Sequence, residues 1–292
     1  MLATVCGTEI YFDVDGAGLG LVDGRLRAKP TLVALHGGPG FDHAYLKPGL
    51  GPLRDEAQIV YVDLRGQGRS GRPPLETCSL EQMADDVAAL CGVLGIERPV
   101  IFGHSAGGFV ALHLALRHPA LLGGLILCET APALGPVGDD DDGEPAPSLA
   151  SRAGPEVLEV VARVFNGDMT AASLAQYMAV VGPFYAGPAH MAVAAPVLGL
   201  TGISIDVMKH FFTALAASYD LRAALKGIQA PTLVMAGGQD WVCPPRASRL
   251  MARSIPGARL VEFSESGHLM FSEEPERFQA AVIDFLEALP SP

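Results

Sequence analysis

Pro99-Val-Ile-Phe-Gly-His-Ser-Ala-Gly-Gly-Phe-Val-Ala-Leu-His-Leu-Ala-Leu116 is the stretch that decides how this chain folds. A short apolar run ends at Phe102, and Gly103-His-Ser-Ala-Gly107 follows it as a G-x-S-x-G. Phe109, Val110, Leu112, Leu114 and Leu116 then carry an Ala-rich segment that reads as a buried helix, closed by His118-Pro119. A serine on so sharp a strand-to-helix turn needs a strained backbone and small neighbours two residues away on either side. Gly103 and Gly107 meet that need. The turn would expose the Ser105 hydroxyl at the positive end of a helix, beside free backbone N–H groups. A chain with 34 glycines can show the motif by chance, so the strand before it and the helix after it carry the argument.

Outward from there the chain alternates. Thr8–Val14 reads as a strand, with Gly16 to Gly24 as turns around a second. Pro30-Thr-Leu-Val-Ala-Leu-His36 is apolar throughout, as expected of a strand covered on both faces, and His36-Gly-Gly-Pro-Gly40 breaks it into a loop. Residues 43–56 allow one helix or two short pieces, and Gln58–Asp63 is the next strand. Asp63-Leu-Arg-Gly-Gln-Gly-Arg-Ser70 is a Gly-rich loop; Ser79-Leu-Glu-Gln82 has a capping-box pattern, and Met83, Val87, Leu90 and Leu94 give its helix an apolar stripe. After the Ser105 unit, Leu121–Cys128 is another strand, ending at Glu129. This order implies an α/β fold, a mostly parallel sheet with helices on both faces.

The pattern changes at Ala131. Asp139–Asp142 sits amid Pro and Gly and reads as a solvated loop, since no glycine-spaced calcium pattern is present. Residues 155 to about 225 read as helices only: Pro155–Phe165 with Gly167 beyond it, a second segment capped by Thr170, a third by Ser204. The expected organisation is a core of residues 1–130 and 226–292 with a helical cap at 131–225. Alternation resumes with the Pro231–Gly238 strand, the Pro244–Ser254 helix, the Ala258–Phe263 strand and a Glu274–Leu289 helix.

The chain has 292 residues, long enough for a substantial core, with 49% hydrophobic and 18% charged residues. A net charge of −12 argues against nucleic acid as a partner. No apolar run approaches the roughly 18 residues of a membrane span, and the start lacks signal-peptide character, so a cytoplasmic location and no membrane partner are expected. Five scattered cysteines with no C-x-x-C fit a reducing compartment. No metal-ligand motif such as H-E-x-x-H occurs, and no cofactor or metal is expected.

Ser105, Asp240 and His268 fall in that order, each at the C-terminal end of an expected strand, the edge where open parallel sheets form their sites. A serine hydroxyl is a weak nucleophile until a base takes its proton. An imidazole, with an unperturbed pKa of about 6.5, can do so near neutral pH, and an acid would hold its tautomer and stabilise the imidazolium. Glu129, at the end of the strand after the Ser105 helix, competes with Asp240 for the acid's place; the tight turn Gly237-Gly-Gln-Asp240 favours Asp240. Two N–H donors are needed for an oxyanion. Ala106, the residue after the serine, is one, and Gly38 in the glycine loop is the favoured second. Positions expected to touch substrate are His36, Gly37, His104, Phe184, Tyr185, Phe211 and Trp241.

Taken together, His36-Gly-Gly-Pro-Gly40, Asp63–Ser70, Gly103–Gly107, Gly238-Gln-Asp240 and Gly267-His268 resemble an α/β-hydrolase. The H-G-G-P-G form, with Gly237-Gly-Gln-Asp-Trp-Val-Cys-Pro244 and Gly267-His-Leu-Met-Phe271, is similar to the proline iminopeptidase-like serine hydrolases. The resemblance covers residues 30–130 and 228–289 and leaves the cap uncovered. It implies the fold and the Ser-Asp-His constellation. Two departures bear on substrate. Peptidases of that family typically carry tryptophan where Ala106 stands, and their caps supply glutamates for a free amino group. Glu156, Glu159 and Asp168 are available here, but their spacing also fits a solvated helix face. The leading expectation is a cofactor-independent serine hydrolase acting on an ester, lactone or amide of a small, partly apolar molecule; removal of N-terminal proline from a short peptide is the alternative. A non-catalytic receptor on the same fold would normally show a broken triad, and a haloalkane dehalogenase would need a carboxylate where Ser105 stands.

Overall fold

A computed structural model describes residues 1–22, 24–134 and 146–290. The acidic run at 139–142 lies outside them. Strands β1 (Leu2–Val5) and β2 (Thr8–Asp15) open the chain, and β3 (Leu19–Val22) and β4 (Arg25–Ala28) form a separate hairpin. Then come β5 (Thr31–Leu35), β6 (Gln58–Val62), β7 (Val100–His104), β8 (Gly124–Cys128), β9 (Thr232–Gly237) and β10 (Arg259–Phe263). The eight-stranded sheet runs β1-β2-β6-β5-β7-β8-β9-β10. β1, β2 and β6 pair antiparallel in turn, and every pair from β6 to β10 is parallel.

The parallel strands are apolar on both faces because both are covered. Leu32 and Ala34 of β5, Ile59 and Tyr61 of β6, and Val100 and Phe102 of β7 face one core, with the helix Pro275–Ala288 packed over it. Val33 and Leu35, Val60 and Val62, and Ile101 face the other, under the helices Leu80–Leu94, Ala106–Arg117 and Pro245–Ser254. Ser79 caps the first of these helices by accepting from the Gln82 N–H at 3.1 Å. From β5 the chain visits β6 on one side and then returns to β7 on the other. The loops after β5 and β7 therefore part at a topological switch point, which opens a crevice at the strand ends.

Between β8 and β9 the described residues from 155 onward leave the sheet and form the helices Pro155–Phe165, Ala171–Val180, Met191–Leu198 and Ile205–His210, joined by shorter turns. Thr170 and Ser173 form a reciprocal capping box. Ser204 occupies its cap position but makes no side-chain cap bond. Val157, Val160, Val164, Leu174, Val181 and Met208 give this insertion a small core of its own. It is fastened to the β5 loop, where the Ser204 N–H donates to Gly40 O at 2.6 Å and the Gly202 N–H to the Asp42 carboxylate at 2.9 Å. Among the described residues, no helix is long and apolar enough to cross a membrane, and no group of three or more His, Cys, Asp or Glu side chains is placed to hold a metal.

Candidate active site

Ser105 sits between β7 and the helix Ala106–Arg117 with φ of 52°, a conformation that L-residues other than Asn or Asp seldom adopt. The strain is held from two sides. The Ser105 N–H donates to Cys128 O at 3.1 Å, and the Thr130 hydroxyl donates to Ser105 O at 2.7 Å. The glycines at either end of the motif are there because backbone crosses backbone. A Cβ on Gly107 would lie 2.2 Å from Leu35 O, and one on Gly103 would lie 2.7 Å from Gly107 O.

His268 follows β10, and its Nδ1 lies 2.7 Å from the Asp240 carboxylate after β9. Asp240 is fully buried, and its other oxygen accepts the N–H groups of Val242 and Cys243 at 2.8 and 3.0 Å. The loop carrying His268 is held at every residue. Glu273, itself buried, accepts the N–H groups of Gly267 and Leu269 at 2.8 and 2.9 Å, and that of Gly187 in the insertion at 2.7 Å. The His268 N–H donates to Tyr185 O at 2.6 Å, and the Met270 N–H donates to Glu129 at 3.1 Å. Burial, with Asp240 and Glu273 nearby, pushes the Glu129 carboxyl well above the usual range.

His104 ties this loop to the one after β5. Burial, with His268 alongside, holds its imidazole well below the usual histidine range, so it is neutral. The network assigns its proton: Nε2–H donates to His268 O at 3.0 Å, and Nδ1 accepts the Tyr45 hydroxyl at 2.7 Å. Tyr45 in turn accepts the Gly37 N–H at 2.6 Å. Gly37 therefore spends its N–H inward. Gly38, at φ of 120°, turns the backbone the other way, and the N–H groups of Gly38 and Ala106 have no acceptor among the described residues. The Asp63–Ser70 loop braces this turn. Gln67 accepts the Gly40 N–H at 2.6 Å, and Asp63 accepts His43 N–H at 3.0 Å and pairs with the His43 ring at 2.6 Å. Burial opposes the Asp63 charge, but His43, His36 and the Arg69 N–H outweigh it and hold the carboxyl at about 2.

Ser105, His268 and Gly38 line one cavity of about 40 Å³, together with Phe41, Tyr45, His104, Tyr185, Leu198, Val242 and Leu269. Gly38, Phe41 and Tyr185 also line a second cavity of about 60 Å³ inside the insertion, walled by residues such as Val164, Met169, Met178 and Met208. Of the side chains expected to touch substrate, His104 and Tyr185 reach these cavities. The others do not. His36 is turned inward, its Nδ1 against Gly37 O and its Nε2 accepting the Leu64 N–H at 3.1 Å. Along with Gly37 and Phe211 it borders a separate void of about 10 Å³. Trp241 donates to Phe184 O at 2.8 Å, and both pack in the insertion core. Tyr45 and Glu273 were not found from sequence. The one available sign of Glu273 is an acid five residues after His268, beyond the apolar run Leu269-Met-Phe271.

Glu273→Gln should show what that carboxylate does. Glutamine offers one acceptor oxygen where three backbone donors converge, and it turns an NH₂ group toward at least one of them. The expected result is a loss of about 1–3 kcal/mol in urea unfolding, with kcat lowered more than KM is raised. Unchanged stability and kcat would show that the three bonds do not hold the loop.

The fold and this geometry place the chain in a known class. It matches the family described as the alpha/beta hydrolase fold over residues 30–275 and belongs to it. The family is one of hydrolases. The chain is 30% identical to RutD of Caulobacter sp. (strain K31), whose name provisionally assigns carbamate hydrolysis, over 86% of this chain and 94% of that protein. It is 27% identical to the proline iminopeptidase PfmaB of Pestalotiopsis fici, over 95% and 99% of the two chains. The enol-lactonase from Burkholderia xenovorans LB400 superposes with a TM-score of 0.76 at 26% identity, covering 98% of this chain and all of that one.

Proposed function

We propose that this hydrolase opens an ester or lactone bond of a small, largely apolar substrate through an acyl-enzyme at Ser105. His268 takes the Ser105 proton as the hydroxyl attacks the scissile carbonyl, and Asp240 holds the imidazole through Nδ1 and stabilises the imidazolium. The N–H groups of Ala106 and Gly38 receive the oxyanion. His268 then protonates the leaving oxygen, and the same sequence with water releases the acid. The helices between β8 and β9 serve as a lid over the core formed by the flanking segments, with boundaries near residues 131 and 225.

The observation that carries ester or lactone over aminopeptidase is the wall. Among the described residues, no carboxylate side chain lines either of the two cavities. A free amino group taken out of water needs a compensating negative charge. The acids that could have supplied it lie elsewhere: Glu156 and Glu159 are exposed on their helix, and Asp168 is 3.7 Å from Arg163. The enol-lactonase likeness points the same way; the proline iminopeptidase likeness supports the alternative. Comparing kcat/KM for p-nitrophenyl butyrate and L-prolyl p-nitroanilide decides between them. The ester should be preferred by at least about 100-fold. Preference for the anilide would overturn this reading.

A further inference from the structure

The cavity inside the insertion is walled by apolar side chains except for two phenols, Tyr177 and Tyr185. Burial pushes the Tyr177 hydroxyl up to about 12 and that of Tyr185 well above its usual range. Both phenols therefore keep their protons. Their oxygens lie 3.1 Å apart, a bond that spends one O–H. The second O–H has no acceptor among the described residues. Tyr177 is buried and Tyr185 half-buried, and a donor drawn that far from water without a protein acceptor favours an incoming acceptor.

What satisfies it is constrained by the surroundings. Among the described residues no Lys, Arg or His lines this cavity, so a carboxylate there would lack a charge partner. A neutral oxygen would not. Tyr185 also lines the cavity of Ser105, and its ring lies edge-on to that of His268 at 5.8 Å. A substrate chain running from Ser105 into the insertion passes along this ring and meets the hydroxyl pair at its far end.

We propose that the Tyr177–Tyr185 pair is a subsite for a neutral carbonyl oxygen, of a ketone or an amide, carried in the apolar acyl part of the substrate a few bonds from the scissile carbonyl. This rests on the acyl-enzyme reading above. A site built to donate a hydrogen bond discriminates against an analogue lacking the acceptor more strongly than an apolar pocket discriminates by size. The three methionines Met169, Met178 and Met208 let the rest of the wall adapt to chain shape.

The test uses p-nitrophenyl heptanoate and its 4-, 5- and 6-oxo derivatives with the wild-type protein and the double variant Tyr177→Phe/Tyr185→Phe. The double variant is needed because either single change leaves one hydroxyl with a proton to donate. The quantity read is the ratio of kcat/KM for each oxo ester to that for heptanoate, which cancels any general loss of activity. At least one oxo ester should be preferred by about tenfold in the wild type, and the ratio should fall to near one in the double variant. Wild-type ratios near one at all three positions, with heptanoate well turned over, would overturn the subsite and leave the hydrolase reading intact. So would a preference that survives in the double variant. If the wild type turns over none of the four esters, the acyl-enzyme reading itself fails, and the subsite with it.

Discussion

Ser105→Ala is expected to lower kcat by about 10⁴-fold or more on any substrate the protein hydrolyses, while the folded state keeps its stability. The size follows from the proposed mechanism, in which these groups act as a unit: without Ser105 as nucleophile, His268 and Asp240 would have nothing to activate, and only the N–H donors and substrate binding would be left. Stability should hold because the Ser105 hydroxyl makes no hydrogen bond among the described residues, so nothing is left unpaired when it goes. Alanine also has a Cβ and bears the same strain at φ of 52°. Measuring kcat and urea unfolding on the same preparation separates chemistry from folding. A fluorophosphonate should add a single adduct to the wild type and none to the variant. Retention of more than about a tenth of wild-type kcat would remove Ser105 from the mechanism, since removal of a nucleophile costs orders of magnitude more.

Much of this arrangement is legible in the sequence because it is local. The strand, the two glycines and the helix around Ser105 form a single contiguous unit, and the close approach of Gly107 to Leu35 O is what the motif anticipates. Continuous apolar strands read correctly as buried on both faces, and Pro155 and Gly167 bracket their helix as expected. Where the reading fell short, long-range contacts decide. β1 is too short, at four residues, to announce itself, and it exists because β2 pairs with it. The helices-only reading of residues 155 to about 225 does hold at Met191–Leu198 despite Pro196, where Ala194, Val197 and Leu198 pack against the sheet-side core. Residues 43–55 form three short pieces, because Pro48 and Pro52 interrupt one longer helix.

The site shows the same division. A histidine beside a glycine loop looks like a substrate contact, yet His36 points its ring at the Asp63–Ser70 loop and fixes Leu64. Phe211 and Trp241 are aromatic residues near the site in sequence logic, and packing sends them elsewhere. Tyr45 and Glu273 carry no motif at all. Their importance comes from three dimensions, where a hydroxyl links Gly37 to His104 and a carboxylate gathers N–H groups from two separate segments.

The choice of acid gives the second large effect. Asp240→Asn is expected to cut kcat by about 10⁴-fold, and Glu129→Gln to leave it within about tenfold. Both carboxyls are buried past strand ends near His268. The geometry distributes the roles. Asp240 meets three donors, the His268 ring and two backbone N–H groups. Glu129 has one backbone donor, from Met270, and its carboxyl is pushed well above the usual range by burial and by Asp240. A neutral glutamate is mimicked closely by glutamine, so the Met270 contact survives that change. Asparagine at 240 keeps the shape of the aspartate but can present its NH₂ to His268 Nδ1, which then favours the wrong tautomer for taking a proton from Ser105. The two variants assayed side by side, with unfolding curves for each, separate these cases. Near wild-type turnover in Asp240→Asn together with loss in Glu129→Gln would move the acid to the end of β8 and leave Asp240 as a buried anchor for the Val242–Cys243 turn.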